Sequence, residues 1–165
     1  MMGDTMKQKG VCECQRGASA VEFAIVLPLL LIFIFGIIEF GILFYNKAVI
    51  TNASREGARA GIVYRVTPGA DPYYLSEGEV AQVVKNYCEK RLINFKGGSN
   101  LPTTTAPAPT KSGSPPACCR TVTVRLNYNF LVFPDFLAAF FGGGVDGAIP
   151  LVAETVMRME WEGAC

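Results

Sequence analysis

The stretch Gly17-Ala18-Ser19-Ala20-Val21-Glu22-Phe23, followed by Ala24–Tyr45, decides how the chain is organised. A small residue precedes a polar-to-apolar junction, one carboxylate stands five positions later, and an apolar run of about 22 residues begins, interrupted only by Glu39. At 1.5 Å per helical residue such a run is about 33 Å long, enough to cross the hydrocarbon core of a bilayer. Glu22 is the anomaly, because a charge at the head of a membrane helix is costly and asks for a partner.

The flanks set topology. Lys7, Lys9 and Arg16 precede the run and favour a cytoplasmic N-terminus, with the remainder outside the cytoplasm, although Lys47, Arg55, Arg59 and Arg65 follow the run and oppose that bias. The run is too long for the h-region of an ordinary secretory signal. Pro28 removes a backbone donor and is expected to bend the helix a turn or so beyond Glu22. Gly36 and Gly41 are expected helix-packing points. Glu39, near the outer end, is expected to reach the interface, pair with Lys47, or serve assembly.

The helix is expected to continue through Ile62, since 46–62 holds no proline and is rich in alanine. Ala53, Gly57 and Gly61 repeat every four residues and form one smooth stripe, suited to close packing against the chain's own head or between subunits. Residues 66–74 form a turn-rich connector. Ser76-Glu77-Gly78-Glu79 has the form of a capping box, and Val80, Val83, Val84, Tyr87, Leu92 and Phe95 follow with helical spacing. This predicts an amphipathic helix of about 20 residues that carries Cys88. Residues 97–117, rich in Gly, Ser, Thr and Pro, are expected to be a flexible loop. Arg120–Val132 alternates, with Val122, Val124, Leu126, Tyr128, Phe130 and Val132 on one side, as do Leu151, Ala153, Thr155, Met157, Met159 and Trp161 in the strand predicted for Ile149–Trp161. Between them lies a short, very apolar turn or helix, Asp135–Phe141. Gly142-Gly143-Gly144 after it is not a phosphate loop, as no Lys-Ser or Lys-Thr follows.

The expected fold is α+β: a long N-terminal transmembrane helix extending into a small extracytoplasmic head, with one amphipathic helix and an antiparallel sheet of two or more strands. The expected division is leader 1–17, helix 18–62 and head 63–165.

Composition excludes several functions. The net charge of +1 in 165 residues gives no basic field for nucleic acid. The absence of histidine removes the commonest acid–base and metal-binding side chain, which argues against a hydrolase, a cysteine-nucleophile enzyme or a metal site. Cys12-Glu13-Cys14 lacks the spacing and companions of a zinc or redox site. No cofactor is expected. A small head calls for a covalent staple, and Cys88, Cys118, Cys119 and Cys165 are the candidates. Three pairings are open. Bridging adjacent Cys118 and Cys119 would strain the peptide between them, so Cys88 and Cys165 are each expected to bond to one of the pair. Such bonds agree with an oxidising compartment.

With these residues placed, the chain resembles the TadE family of minor pilins, or pseudopilins, of the Tad/Flp tight-adherence pilus. The resemblance is carried by Arg16–Ala24, Leu27-Pro28-Leu29-Leu30, Gly36–Gly41 and Asn52–Ala60, and more loosely by Val122-Thr123-Val124 and Met157–Glu160. It implies cleavage between Gly17 and Ala18 by a membrane-embedded prepilin peptidase. The new amine of Ala18 would then stand at the depth of a neighbouring subunit's Glu22, beside Phe23. It also implies partners in other Tad pilus subunits, the inner-membrane assembly platform and the lipid bilayer, with roles in adherence and biofilm formation. Ala18 departs from the phenylalanine that begins type IV major pilins. The chain is also much longer than Flp major pilins, which fits a minor subunit. The rival reading is an unprocessed single-pass anchor with a partner-binding head.

Overall fold

A computed structural model describes residues 12–66, 73–94, 101–113, 116–130 and 148–160. Helix α1 spans Cys12–Ile62, with Pro28 inside it. The chain divides into two compact units, one ending at Ile38 and the other beginning at Glu39.

In the first unit α1 is apolar on all sides. Val21, Phe23, Ile25, Val26, Leu29, Leu30, Phe33, Ile34, Ile37 and Ile38 are all exposed. An 18-residue window of this helix has a mean hydropathy of 2.8, and none of it is buried within the protein. So large an uncovered apolar surface is not tolerated in water. The helix is long and apolar enough to cross a membrane, as its composition predicts.

The second unit packs the rest of α1 against helix α2 (Glu77–Glu89) and a four-stranded antiparallel sheet. Ser76 caps α2: its backbone N–H donates to Glu79 Oε2 at 2.8 Å, and its hydroxyl oxygen accepts from the Glu79 N–H. These bonds hold the Glu79 carboxyl below the usual range. The strands are β1 (Thr103–Thr105), β2 (Thr110–Ser112), β3 (Ala117–Asn129) and β4 (Ala148–Arg158). β3 is the hub. β4 pairs with it from Cys119↔Arg158 to Asn129↔Ala148, while β1 and β2 pair with its stretches 123–125 and 117–119. Alternation sends Val122, Val124, Leu126 and Tyr128 inward from β3, and Leu151 and Ala153 from β4. They meet Val49, Ile50, Ala53 and Ala58 of α1 and Val80, Val84 and Cys88 of α2 in one core. Each fully buried valine or isoleucine contributes roughly 1.5–3 kcal/mol.

Several expectations change. α2 ends at Glu89, not near Phe95. The reason is Asn46 of α1: its Nδ2 donates to Ile93 O at 2.9 Å and its Oδ1 accepts from Ile93 N at 3.0 Å. That side chain satisfies a backbone that has left the helix, while Leu92 still packs on the core. The segment expected as loop 97–117 contains β1 and β2, because its β-branched threonines pair with β3. β3 begins at Ala117, three residues before its expected start, and β4 ends at Arg158, before its expected end; Val132, Asp135–Phe141, the glycine triplet and Trp161 lie outside the described residues.

The stripe Ala53–Gly57–Gly61 faces the chain's own head. A Cβ on Gly57 would stand 2.6 Å from Val84 Cγ2, and one on Gly61 would stand 3.2 Å from Val80 Cγ2 and from Arg120 Cδ. At Gly41 there is nothing within 4 Å. Gly57→Ala is therefore expected to destabilise the head by about 1–3 kcal/mol through overpacking, despite alanine's better helix propensity. Gly41→Ala is expected to be neutral or mildly stabilising. Denaturant unfolding in detergent, followed by circular dichroism, checks both.

Candidate functional site

The two carboxylates of the apolar run have opposite surroundings. Glu22 is exposed on the lipid-length part of α1 and has no partner among the described residues. Glu39 is 3% exposed. Tyr128 Oη donates to Glu39 Oε1 at 2.8 Å, and the Tyr128 ring meets Phe130 edge-on at 5.5 Å. Burial and the neighbouring carboxylate push the Tyr128 phenol well above its ordinary range, so it remains a donor. Lys47, one of the alternatives expected for Glu39, instead donates to the carbonyl of Val152. The difference follows from β3, which delivers a hydroxyl to Glu39 while β4 presents a carbonyl beside Lys47.

Among the described side chains, Glu39 is one of three buried polar groups along α1, each engaging a different part of the head. Glu39 takes Tyr128 of β3, Asn46 takes the Ile93 backbone, and the Ser54 hydroxyl lies 2.7 Å from that of Thr155 in β4. Their positions, seven and eight residues apart, put them on one helix face. Higher up, Arg120 on β3 is 2% exposed and holds three carbonyls: Nη1 donates to Gly61 O at 3.1 Å and Leu75 O at 2.5 Å, and Nη2 to Ala106 O at 3.3 Å. Gly61 lies in the last turn of α1, where a cation also meets the negative end of the helix dipole. Burial lowers the pKa of Arg120, an effect opposed by Glu77. Glu77 Oε1 accepts from Ala106 N at 3.1 Å, closing the same corner.

Sequence reasoning missed Arg120, Asn46 and Ser54 as structural groups. Their only signal was a polar side chain in phase with an apolar face, which the expected alternation of β3 already displayed for Arg120.

The remaining candidates are placed as follows. Gly17, Ala18 and Phe23 are exposed on α1, and a Cβ on Gly17 would meet nothing within 4 Å. Pro28 and Gly36 are half-buried. Among the cysteines, Cys88 and Cys119 are free thiols, which overturns the expected bond at Cys88. The helical phase of Val80 and Val84 carries Cys88 into the core at 0% exposure, where it acts as a small apolar side chain. Strand alternation puts Cys118 inside and Cys119 on the opposite face, across from Arg158. Cys118 is disulfide-bonded, and Cys165 lies outside the described residues. No group of three or more His, Cys, Asp or Glu side chains suited to a metal gathers among the described residues.

Burial raises the Cys88 thiol to about 11. An unfolded thiol ionises near pH 9, so between about pH 9 and 11 the unfolded state loses a proton that the folded state keeps. Stability from this group is intact below pH 9 and is expected to fall across that window, with Cys88→Ala flattening the slope. In the folded protein iodoacetamide is expected to modify Cys119, and Cys88 only after unfolding; mass mapping checks this. Tyr128→Phe, which removes a donor from a buried carboxylate, is expected to cost about 1–3 kcal/mol in the same unfolding assay.

Compared with known proteins, residues 17–59 match the family described as TadE-like protein. No curated protein and no solved structure matches the chain. The matched residues take in the lipid-length helix, Glu22, Glu39, Asn46, Ser54 and the packing glycine Gly57, so the part of the chain that holds both the apolar run and the polar face toward the head is TadE-like.

Proposed function

We propose that this chain is a minor pilin, or pseudopilin, of a Tad/Flp pilus, processed by a prepilin peptidase between Gly17 and Ala18 and handed from the inner membrane into the pilus. The observation that carries the reading is the contrast between the two acids of the apolar run. Glu39 is satisfied within its own chain, whereas Glu22 is exposed with no partner among the described residues. An unpaired charge at membrane depth costs on the order of 3 kcal/mol or more.

Cleavage supplies the missing cation. Hydrolysis of the Gly17–Ala18 peptide bond leaves a carboxylate on the leader and an ammonium on Ala18, four residues before Glu22. One subunit's ammonium can then neutralise a neighbour's Glu22 and fix subunit register as well as relieve the charge. Gly17 suits the cut in two ways. It leaves the carbonyl unhindered, and it weakens the helix locally by about 1 kcal/mol relative to alanine, which eases the unwinding a peptidase needs. The partners of this reading are the prepilin peptidase, other pilus subunits and the assembly platform. The N-terminus lies in the cytoplasm and the head outside it, and the assembled product serves adherence and biofilm formation.

The alternative, an unprocessed single-pass anchor, is favoured by one observation: α1 runs unbroken through the cleavage position to Cys12. The N-terminal sequence of the native protein separates the two. It is expected to begin at Ala18; a native chain that begins at Met1 in piliated cells rejects the pilin reading. Glu22→Ala is expected to leave cleavage intact and to trap mature protein in the membrane without surface pili. Normal piliation in that mutant removes the charge-pairing step.

A further inference from the structure

The two ends of the head differ in chemistry along α1. α2 and β3 both run antiparallel to α1: Val80 lies by Gly61, Val84 and Val122 by Gly57, the Ile93 backbone on Asn46, and Tyr128 on Glu39. The C-terminal end of α2 and the far end of β3 are therefore gathered at the level of Glu39–Asn46, the last part of the apolar run in sequence. The N-terminal end of α2, at the level of Gly61, carries Glu77 and Glu79. The opposite end carries Lys90 and Arg91, both exposed, with the Arg91 guanidinium held 4.1 Å from the centre of the Tyr87 ring. The acids at this end are engaged elsewhere, since Glu89 lies 3.7 Å from Lys85 Nζ and Glu39 is buried on Tyr128. On α1 at the same level, Phe40, Phe44 and Tyr45 are 53%, 67% and 45% exposed, and Ile93 is 39% exposed.

We propose that this end of the head is a lipid-binding surface: Phe40, Phe44, Tyr45 and Ile93 sit at the acyl–headgroup boundary while Lys90 and Arg91 hold anionic phospholipid headgroups. The arrangement has the two parts such a surface needs. Aromatic side chains favour the membrane interface, and basic side chains are drawn to anionic lipid. The chain also leads directly from the apolar run of α1 into this end of the head. An aqueous partner would leave four large apolar side chains uncovered whenever it was absent. The lipid contact holds the head on the membrane until the subunit is withdrawn.

The inference rests on the membrane-spanning reading of α1, and the test separates the two. The full chain is assembled into nanodiscs of phosphatidylcholine alone, or of equal parts phosphatidylcholine and phosphatidylglycerol, and amide hydrogen exchange is followed by mass spectrometry. Failure to enter either disc rejects the membrane-spanning reading. In chains that do enter, peptides covering 90–94 are expected to exchange about fivefold more slowly or less in the anionic discs, and high salt is expected to erase the difference. Lys90→Gln with Arg91→Gln is expected to erase it as well, while Lys111→Gln, on β2, keeps it. Equal exchange in the two lipids, or a difference that survives the Lys90/Arg91 pair, overturns the proposal. Protection that instead rises with the number of chains per disc assigns the surface to a second copy and also overturns it.

Discussion

One unbroken helix has to satisfy two solvents, and the rest of the molecule follows from how it does so. From Val21 to Ile38, α1 carries large exposed apolar side chains on every side, which suits an apolar medium and not water. From Glu39 onward one face changes character: a carboxylate, an amide and a hydroxyl take up positions facing the head, and alanine and glycine replace bulk. A face of that kind is unfit for lipid, because its polar groups would go unsatisfied, and unfit for water, because it offers nothing to solvate. It is fit for a protein surface that approaches closely and supplies matched donors and acceptors.

The head provides that surface with few residues. Val80 and Val84 of α2 enter the space left by Gly57 and Gly61, and β3 supplies Val122, Val124 and Tyr128. Polar contacts settle alignment where apolar packing alone would allow sliding. The Glu39–Tyr128, Asn46–Ile93 and Ser54–Thr155 contacts engage β3, the segment after α2 and β4 respectively, and Arg120 ties the top of α1 to two loops. A shift of α1 by one residue would break all of them together, so the face of α1 from Glu39 onward has one register against the head.

The same arrangement separates the work of the two acids. Both stand in a membrane-length run and both would be costly alone. Tertiary structure satisfies Glu39 inside the chain, whereas Glu22 stays exposed with no partner among the described residues. A single structural outcome thus separates two similar sequence features, one of them built into the fold and the other left at the surface.

Much of this was legible in the sequence. Length and uniform hydropathy specified the first helix, because a bilayer imposes a minimum span. The serine–glutamate spacing located the start of α2, because a cap is a local hydrogen-bonding device, and period-two alternation located β3 and β4. What sequence could not supply was anything set by a distant partner. The end of α2 was decided by Asn46, forty-seven residues from Ile93. The threonines of β1 and β2 became strands only because β3 offered them a ladder. The free state of Cys88 followed from the helical phase that turned it into the core. Whether the small-residue stripe packs at home or on a neighbour was open in the sequence for the same reason: smoothness permits close approach but does not name what approaches. Local hydrogen bonding and solvent preference are written residue by residue, whereas long-range pairing exists only once the chain has folded back on itself.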